Sequence, residues 1–262
     1  MKVYVINMER SVQRRKSMEQ HLGQMGIPFE IIRAIDGNTL PDGFMQQPLG
    51  RQIELSKSEL GCMLSHLKAY KALAESDHEF ALVLEDDILI TELNMPAMFE
   101  TLKHFLNRNT ITLLTYFGVR DEKVYLKKVL GLKDIQGAGE KYYICQPSAA
   151  NNLARAGAYI IPRSIAAAIV DFHAAQIHCR ADEWEVYQQH GLIETLNCLY
   201  PMPVTENYQH GSEINYTRNA LEMIGKKIIT WTIYQNIPVL TYLFKKRRAS
   251  YSARHKNIIL EN

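Results

Sequence analysis

Phe80-Ala-Leu-Val-Leu-Glu-Asp-Asp87 is the stretch on which the reading of the fold turns. Its first five residues form an uninterrupted apolar run, with the length and composition of a buried strand. Glu85, Asp86 and Asp87 follow at once, and apolar sequence resumes at Ile88. Adjacent acids at the mouth of a buried strand repel one another, and each carries a desolvation cost unless a cation or hydrogen bonds offset it. In open α/β sheets, ligands sit just beyond the carboxyl ends of strands. Side chains two apart on extended backbone point the same way, so Glu85 and Asp87 share a target that Asp86 faces away from. Hard oxygen ligands at that spacing suit magnesium or manganese, above all an ion that is also bound by phosphates. A solvated acidic turn after a core strand is the competing reading, because surface carboxylates are common.

Working outward, Val3 to Ile6 reads as a first buried strand and Phe29 to Ile32 as a second. Val12, Met18, Leu22 and Met25 have helical spacing between them. Strand, helix, strand implies a parallel βαβ unit, and so an α/β domain. Gly37, Pro41, Gly43, Pro48 and Gly50 mark a loop. Ser56 or Ser58 then caps a helix over Leu60 to Leu73, with Glu59 in its first turn. After the acidic strand the sequence predicts a helix over 91–109 and a strand over Ile111 to Phe117. Residues 119–142 read as an insertion or a lid. Further strands are expected at Tyr142 to Cys145, Ala158 to Ile161 and Leu196 to Tyr200, with helices at Pro162 to Phe172 and Asp182 to His190.

The 262 residues suffice for one large α/β domain, or for a domain with a helical appendage, and 47% hydrophobic and 22% charged residues are ordinary for a folded soluble protein. A net charge of +2 gives no electrostatic case for nucleic acid. Cys62, Cys145, Cys179 and Cys198 form no CxxC pair and read as reduced thiols. The apolar run at the N-terminus is too short for a signal peptide, so a cytoplasmic location is expected. Residues 221–262 differ in kind from the rest. Ile228 to Phe244 is apolar and aromatic, shorter than the roughly 20 residues that span a bilayer, and Lys245 to Arg248 follow directly. That pattern suits an interfacial anchor on an anionic membrane, or a packed helix with a solvated basic end.

Other groups capable of chemistry are scattered along the chain. His210, in a polar loop, offers a neutral nitrogen ligand, although loop histidines are commonly just solvated. Asp182 and Glu183 offer a general base, or simply the acidic first turn of a helix. Arg10 and Arg14 follow the first strand, where phosphates would lie. Ser65 and His66 stand mid-helix, as substrate contacts or as polar core groups. There is no GxGxxG, P-loop or GxSxG, which weighs against dinucleotide enzymes, Walker-type ATPases and serine hydrolases.

The run of motifs Ile6-Asn7…Arg10…Arg14-Arg15, Gly26-Ile-Pro-Phe29, Ala34-Ile-Asp-Gly37, Gly61-Cys-Met-Leu-Ser-His66, Val83-Leu-Glu-Asp-Asp87 and Gly157-Ala-Tyr-Ile-Ile161 resembles glycosyltransferase family 25. This is the family of lipooligosaccharide galactosyltransferases and, more distantly, collagen galactosyltransferases. The resemblance runs from residue 3 to about 215. It implies a GT-A-like nucleotide-sugar-binding domain over 1–220 and an inverting, metal-assisted transfer from a UDP-sugar to a lipid-linked oligosaccharide acceptor at the inner face of the cytoplasmic membrane. It further implies manganese or magnesium on Glu85, Asp87 and His210. Asp182 would be the base with Glu183 as substitute, and Asn7, Arg10, Arg14, Asp36, Ser65, His66 and Asp86 would surround the donor. Galactose is the expected sugar and glucose its alternative. A metal-dependent nucleotidyltransferase is the runner-up, although the usual Gly-rich, Lys-containing phosphate loop does not follow the first strand.

Overall fold

The computed structural model describes residues 1–41, 55–92, 94–116, 132–138, 141–150 and 153–207. His210 and the whole of 221–262 lie outside the described residues.

Three parallel strands form the half of the sheet that positions the site. They are β1 (Lys2–Asn7), β2 (Glu30–Arg33) and β3 (Phe80–Glu85), joined by helices α1 (Val12–Gln24) and α2 (Lys57–Ala74). Ile6 lies opposite both Ile32 and Glu85, and Asn7 opposite Arg33, so the three carboxyl ends share one edge. The continuous apolar run of β3 is explained by two covered faces. Ala81 and Val83 join a core with Tyr4, Ile6 and the inner face of α2, while Leu82 and Leu84 join another with Val3, Val5, Met18 and Leu22. Such double coverage is what parallel strands with crossover helices require.

Beyond β3 the main sheet is mixed. The remaining elements are β4 (Ile88–Ile90), α3 (Met95–Lys103), β5 (Thr110–Leu113), β6 (Lys133–Ala138), β7 (Tyr142–Gln146), β8 (Ala158–Pro162), α4 (Arg163–Phe172), α5 (Trp184–Gln189), β9 (Thr195–Tyr200) and β10 (Val204–Glu206). Eight strands run in the order β2-β1-β3-β8-β5-β9-β7-β6, with β8 antiparallel to both β3 and β5. The expected α/β class is therefore observed, as a mixed sheet. The short strands β4 and β10 pair separately and antiparallel.

Helix α2 begins where capping chemistry places it. Ser56 Oγ accepts from Glu59 N at 3.2 Å, and Glu59 Oε2 accepts from Ser56 N at 2.8 Å, a reciprocal capping box. Several expected elements are shorter in the structure. The helix expected over 91–109 spans only Met95–Lys103, because Asn94 Oδ1 caps it and Pro96 sits in its first turn. The strand expected to reach Phe117 ends at Leu113. Part of the expected insertion pairs as strand β6 against β7.

Candidate functional site

A cleft opens at the shared carboxyl edge of β1, β2 and β3, holding roughly 680 Å³ when the solvent at its mouth is counted. Arg10, Arg14, Asp36, Ser65, His66, Glu85, Asp86 and Asp87 all line it, together with Cys62. Eight residues singled out from sequence thus meet in one place, and Asn7 sits directly behind them at the end of β1.

The three acids differ in environment: Glu85 ends β3, while Asp86 and Asp87 stand in the turn beyond it, and all three line the cleft, so Asp86 does not face away as expected. Asp86 accepts from Asn7 Nδ2 at 2.6 Å and from Arg14 Nη1 at 3.1 Å. These bonds tie α1 to the end of β3. Burial raises the Asp86 carboxyl above its ordinary range, against the pull of Asn7 and Arg14. Glu85 meets His66, with Nε2 3.0 Å from Oε1. Burial would raise Glu85, but the hydrogen bond and charge of His66 hold it below the ordinary value. Among the described residues, the cation that pairs with Asp87 is Arg14, whose Nη1 lies 3.8 Å away. Burial first, and then the charge of Glu85, push Asp87 up to about 7. A divalent ion is implied by the resemblance, and these residues fit one. Glu85 and Asp87, which line the cleft together, offer a hard-oxygen donor set.

The remaining predicted residues fall into separate settings. Asp36 pairs with Arg10 and also accepts from Asn38 N at 3.0 Å, which holds the turn after β2. Ser65 Oγ accepts from Ile35 N at 2.8 Å and donates to Gly61 O at 2.6 Å, so it supports that turn from beneath. His66 is fully buried. Asp182 and Glu183 stand at the start of α5 and do not line the cleft. Asp182 Oδ2 accepts from Arg155 N at 3.1 Å. Its charge is felt at Cys62, whose thiol is raised first by burial and then by Glu85 and Asp182. Glu183 is held by Arg180, through its N–H at 2.7 Å and its guanidinium at 3.0 Å.

Sequence reasoning missed Arg155, which links these parts. It sits in left-handed backbone, φ 85°, and its carbonyl accepts from Trp184 Nε1 at 3.2 Å. Its guanidinium pairs with Glu206 of β10. The same segment fastens the acidic turn, since Asn207 N donates to Asp87 O at 2.7 Å. A non-glycine residue at positive φ was the feature to look for, and no residue type in the sequence announces it. Cys62 was read only as a reduced thiol, yet its Sγ approaches Glu85 Oε1 to 3.8 Å.

Residues 1–184 match the model of a family described as glycosyltransferase family 25 (LPS biosynthesis protein). A glycosyltransferase 25 family member from Aedes aegypti is 31% identical over 97 residues, covering 33% of this chain and 16% of its own length. Procollagen galactosyltransferase 1-B from Xenopus laevis is 30% identical over 116 residues, covering 40% of this chain and 18% of its own. The matched stretches therefore span under a fifth of these relatives' length. A crystal structure of the galactosyltransferase LgtC with donor and acceptor sugar analogs superposes at 15% identity with a TM-score of 0.34, covering 76% of this chain and 73% of that one. At that score the similarity supports no inference.

Proposed function

This chain belongs to glycosyltransferase family 25, and we propose that it transfers galactose from UDP-galactose to a hydroxyl of a lipopolysaccharide or lipooligosaccharide acceptor, with inversion at the anomeric carbon. The observation that carries this reading is the gathering of Glu85 and Asp87 with Arg10, Arg14 and Asp36 around one cleft at the carboxyl ends of three parallel strands. Ligands of α/β sheets bind at such an edge.

Manganese or magnesium bound by Glu85 and Asp87, with His210 as the further ligand that the family resemblance suggests, would supply neutralisation of charge on the departing diphosphate. The chain's own residues do the rest. Arg14 and Asn7 fix Asp86, which orients the acidic turn so that its neighbours face the cleft. Arg10 and Asp36, paired in the same cleft, bind the nucleotide and donor sugar. Asp182 takes the proton from the acceptor hydroxyl. One of its oxygens is steadied by the Arg155 N–H, which leaves the other for the acceptor. Glu183, bound by Arg180, is the weaker candidate for that role. The basic tail from Lys245 to Arg248 would hold the enzyme at the anionic inner leaflet, where its acceptor is made.

The test is UDP release from UDP-galactose, and from UDP-glucose, with and without an oligosaccharide acceptor. Release should depend on acceptor and on manganese or magnesium. It should fall at least ~100-fold in a folded Asp87→Asn variant, which loses a charged ligand. Near-normal turnover in that variant would remove the metal reading. Turnover of nucleoside triphosphates in place of UDP-sugars would favour a nucleotidyltransferase.

A further inference from the structure

Cys62 and His66 stand four residues apart on α2, one helical turn from each other on the same face. Cys62 Sγ, His66 Nε2 and Glu85 Oε1 lie within 4.8 Å of one another. Nε2 is 3.0 Å and Sγ 3.8 Å from that carboxylate oxygen. All three residues line the cleft.

The imidazole supplies an independent observation. The Tyr159 hydroxyl donates its single proton to Tyr70 Oη at 2.7 Å. It can therefore only accept from His66, whose Nδ1 lies 2.7 Å away. With Nδ1–H given to Tyr159, Nε2 is the ring nitrogen that faces Glu85 and Cys62. Histidines that bind metals show this arrangement, in which the second ring nitrogen donates to a fixed acceptor that sets tautomer and ring orientation. Tyr159 also stacks on the ring, with centroids 5.8 Å apart, and Tyr70 packs at 6.2 Å. The sequence comes closest to announcing this in Cys62-Met-Leu-Ser-His66, a thiol and an imidazole one helical turn apart.

We infer that Cys62, His66 and Glu85 form a binding site for a borderline transition-metal ion, zinc or cobalt(II). Thiolate and imidazole favour zinc over magnesium or manganese, which prefer oxygen. Three protein ligands leave a fourth position open toward the cleft. On binding, the thiol proton and the proton shared between Nε2 and Oε1 pass to solvent, and the ion takes their places. Nothing is oxidised or reduced.

Cobalt(II) titrated into the full chain, with no sugar donor present, should give a thiolate-to-cobalt charge-transfer band in the near ultraviolet and the intense visible bands of a four-coordinate ion. Zinc should displace it. Cys62→Ser should abolish the charge-transfer band. Tyr159→Phe keeps all three ligands but removes the acceptor of Nδ1–H, and should weaken cobalt binding about 10–100-fold. X-ray absorption of the zinc-loaded wild-type chain should show one sulfur in the first shell, a readout that needs no variant to fold. A missing band, a band that survives in Cys62→Ser, unchanged affinity in Tyr159→Phe or a sulfur-free zinc shell would overturn the assignment. These readouts do not involve sugar transfer, so they stand or fall apart from the proposed reaction.

Discussion

Replacing Gly61 by alanine sets two physical effects against each other. Gly61 lies inside α2, where helix propensity alone predicts a gain of about 1 kcal/mol on substitution by alanine. The packing predicts the opposite sign. A Cβ at Gly61 would meet Gly37 N at 2.5 Å, Ile35 O at 2.7 Å and Gly37 Cα at 2.8 Å, all of them backbone atoms that no rotamer change can move. The crossing is tight from both sides, since a Cβ on Gly37 would lie 1.7 Å from Lys57 O. Overpacking of this kind costs about 1–3 kcal/mol. Pushing the turn away also strains the 2.8 Å bond from Ile35 N to Ser65 Oγ, worth about 1 kcal/mol. After the propensity gain, the net loss is roughly 1–3 kcal/mol. For a chain of this size that lowers Tm by roughly 3–10 °C. Thermal unfolding followed by circular dichroism measures this. Gly23→Ala in α1, where a Cβ meets nothing within 4 Å, is the control and should be neutral or stabilising. UDP affinity should fall in Gly61→Ala alone, because Asp36 rides on the displaced turn. A Gly61→Ala protein as stable as wild type would refute the close crossing, and with it the claim that α2 sets the position of Asp36.

Three further outcomes are expected. Asp182→Asn should lower turnover by roughly 100-fold or more while leaving UDP-galactose binding nearly intact, since a base acts on the acceptor in the transition state; a collapse of donor affinity would move Asp182 into the donor site. Glu92 accepts from Lys141 Nζ at 2.6 Å, the Tyr142 hydroxyl and Asn94 N at 2.9 Å. Burial would raise its carboxyl, but these partners hold it at about 2, below its ordinary value near 4.5. Its contribution, up to about 3 kcal/mol, is therefore complete above that ordinary value and is lost as pH falls toward the folded one. Glu92→Gln should flatten the acid limb of urea-monitored stability, and an unchanged limb would count against the cluster. Truncation before Lys245 should weaken binding to anionic liposomes, and full-length binding should fall with salt, the four cations giving up to ~4 kcal/mol before screening; equal binding by both proteins would make the tail a solvated end.

Local chemistry made much of this site readable in advance. β3 was visible because a strand covered on both faces is apolar throughout, and its end because three acids follow without transition. The start of α2 was visible because Ser56 and Glu59 form a capping box within four residues. Strand alternation, by contrast, did not govern the acids: β3 ends at Glu85, Asp86 and Asp87 stand in the turn beyond it, and Arg14 Nη1 approaches both aspartates. What stayed hidden depends on contacts far apart in sequence or too short to show a period. β4 and β10 have three residues each, too few for any periodicity, yet their pairing brings Glu206 beside the acidic turn. His66 is oriented by Tyr159, 93 positions away, and Arg155 reaches Asp182 across 27. Cys62 takes on meaning only once α2 is packed over the end of β3.

The proposed reaction requires Glu85 and Asp87 to hold a divalent ion against the donor diphosphate. Anomalous diffraction at the manganese edge, from crystals of the chain grown with UDP and manganese, tests it most directly. One strong peak in contact with both carboxylates and with diphosphate oxygens is expected. UDP bound in the cleft without such a peak, or a peak that touches neither Glu85 nor Asp87, would contradict it.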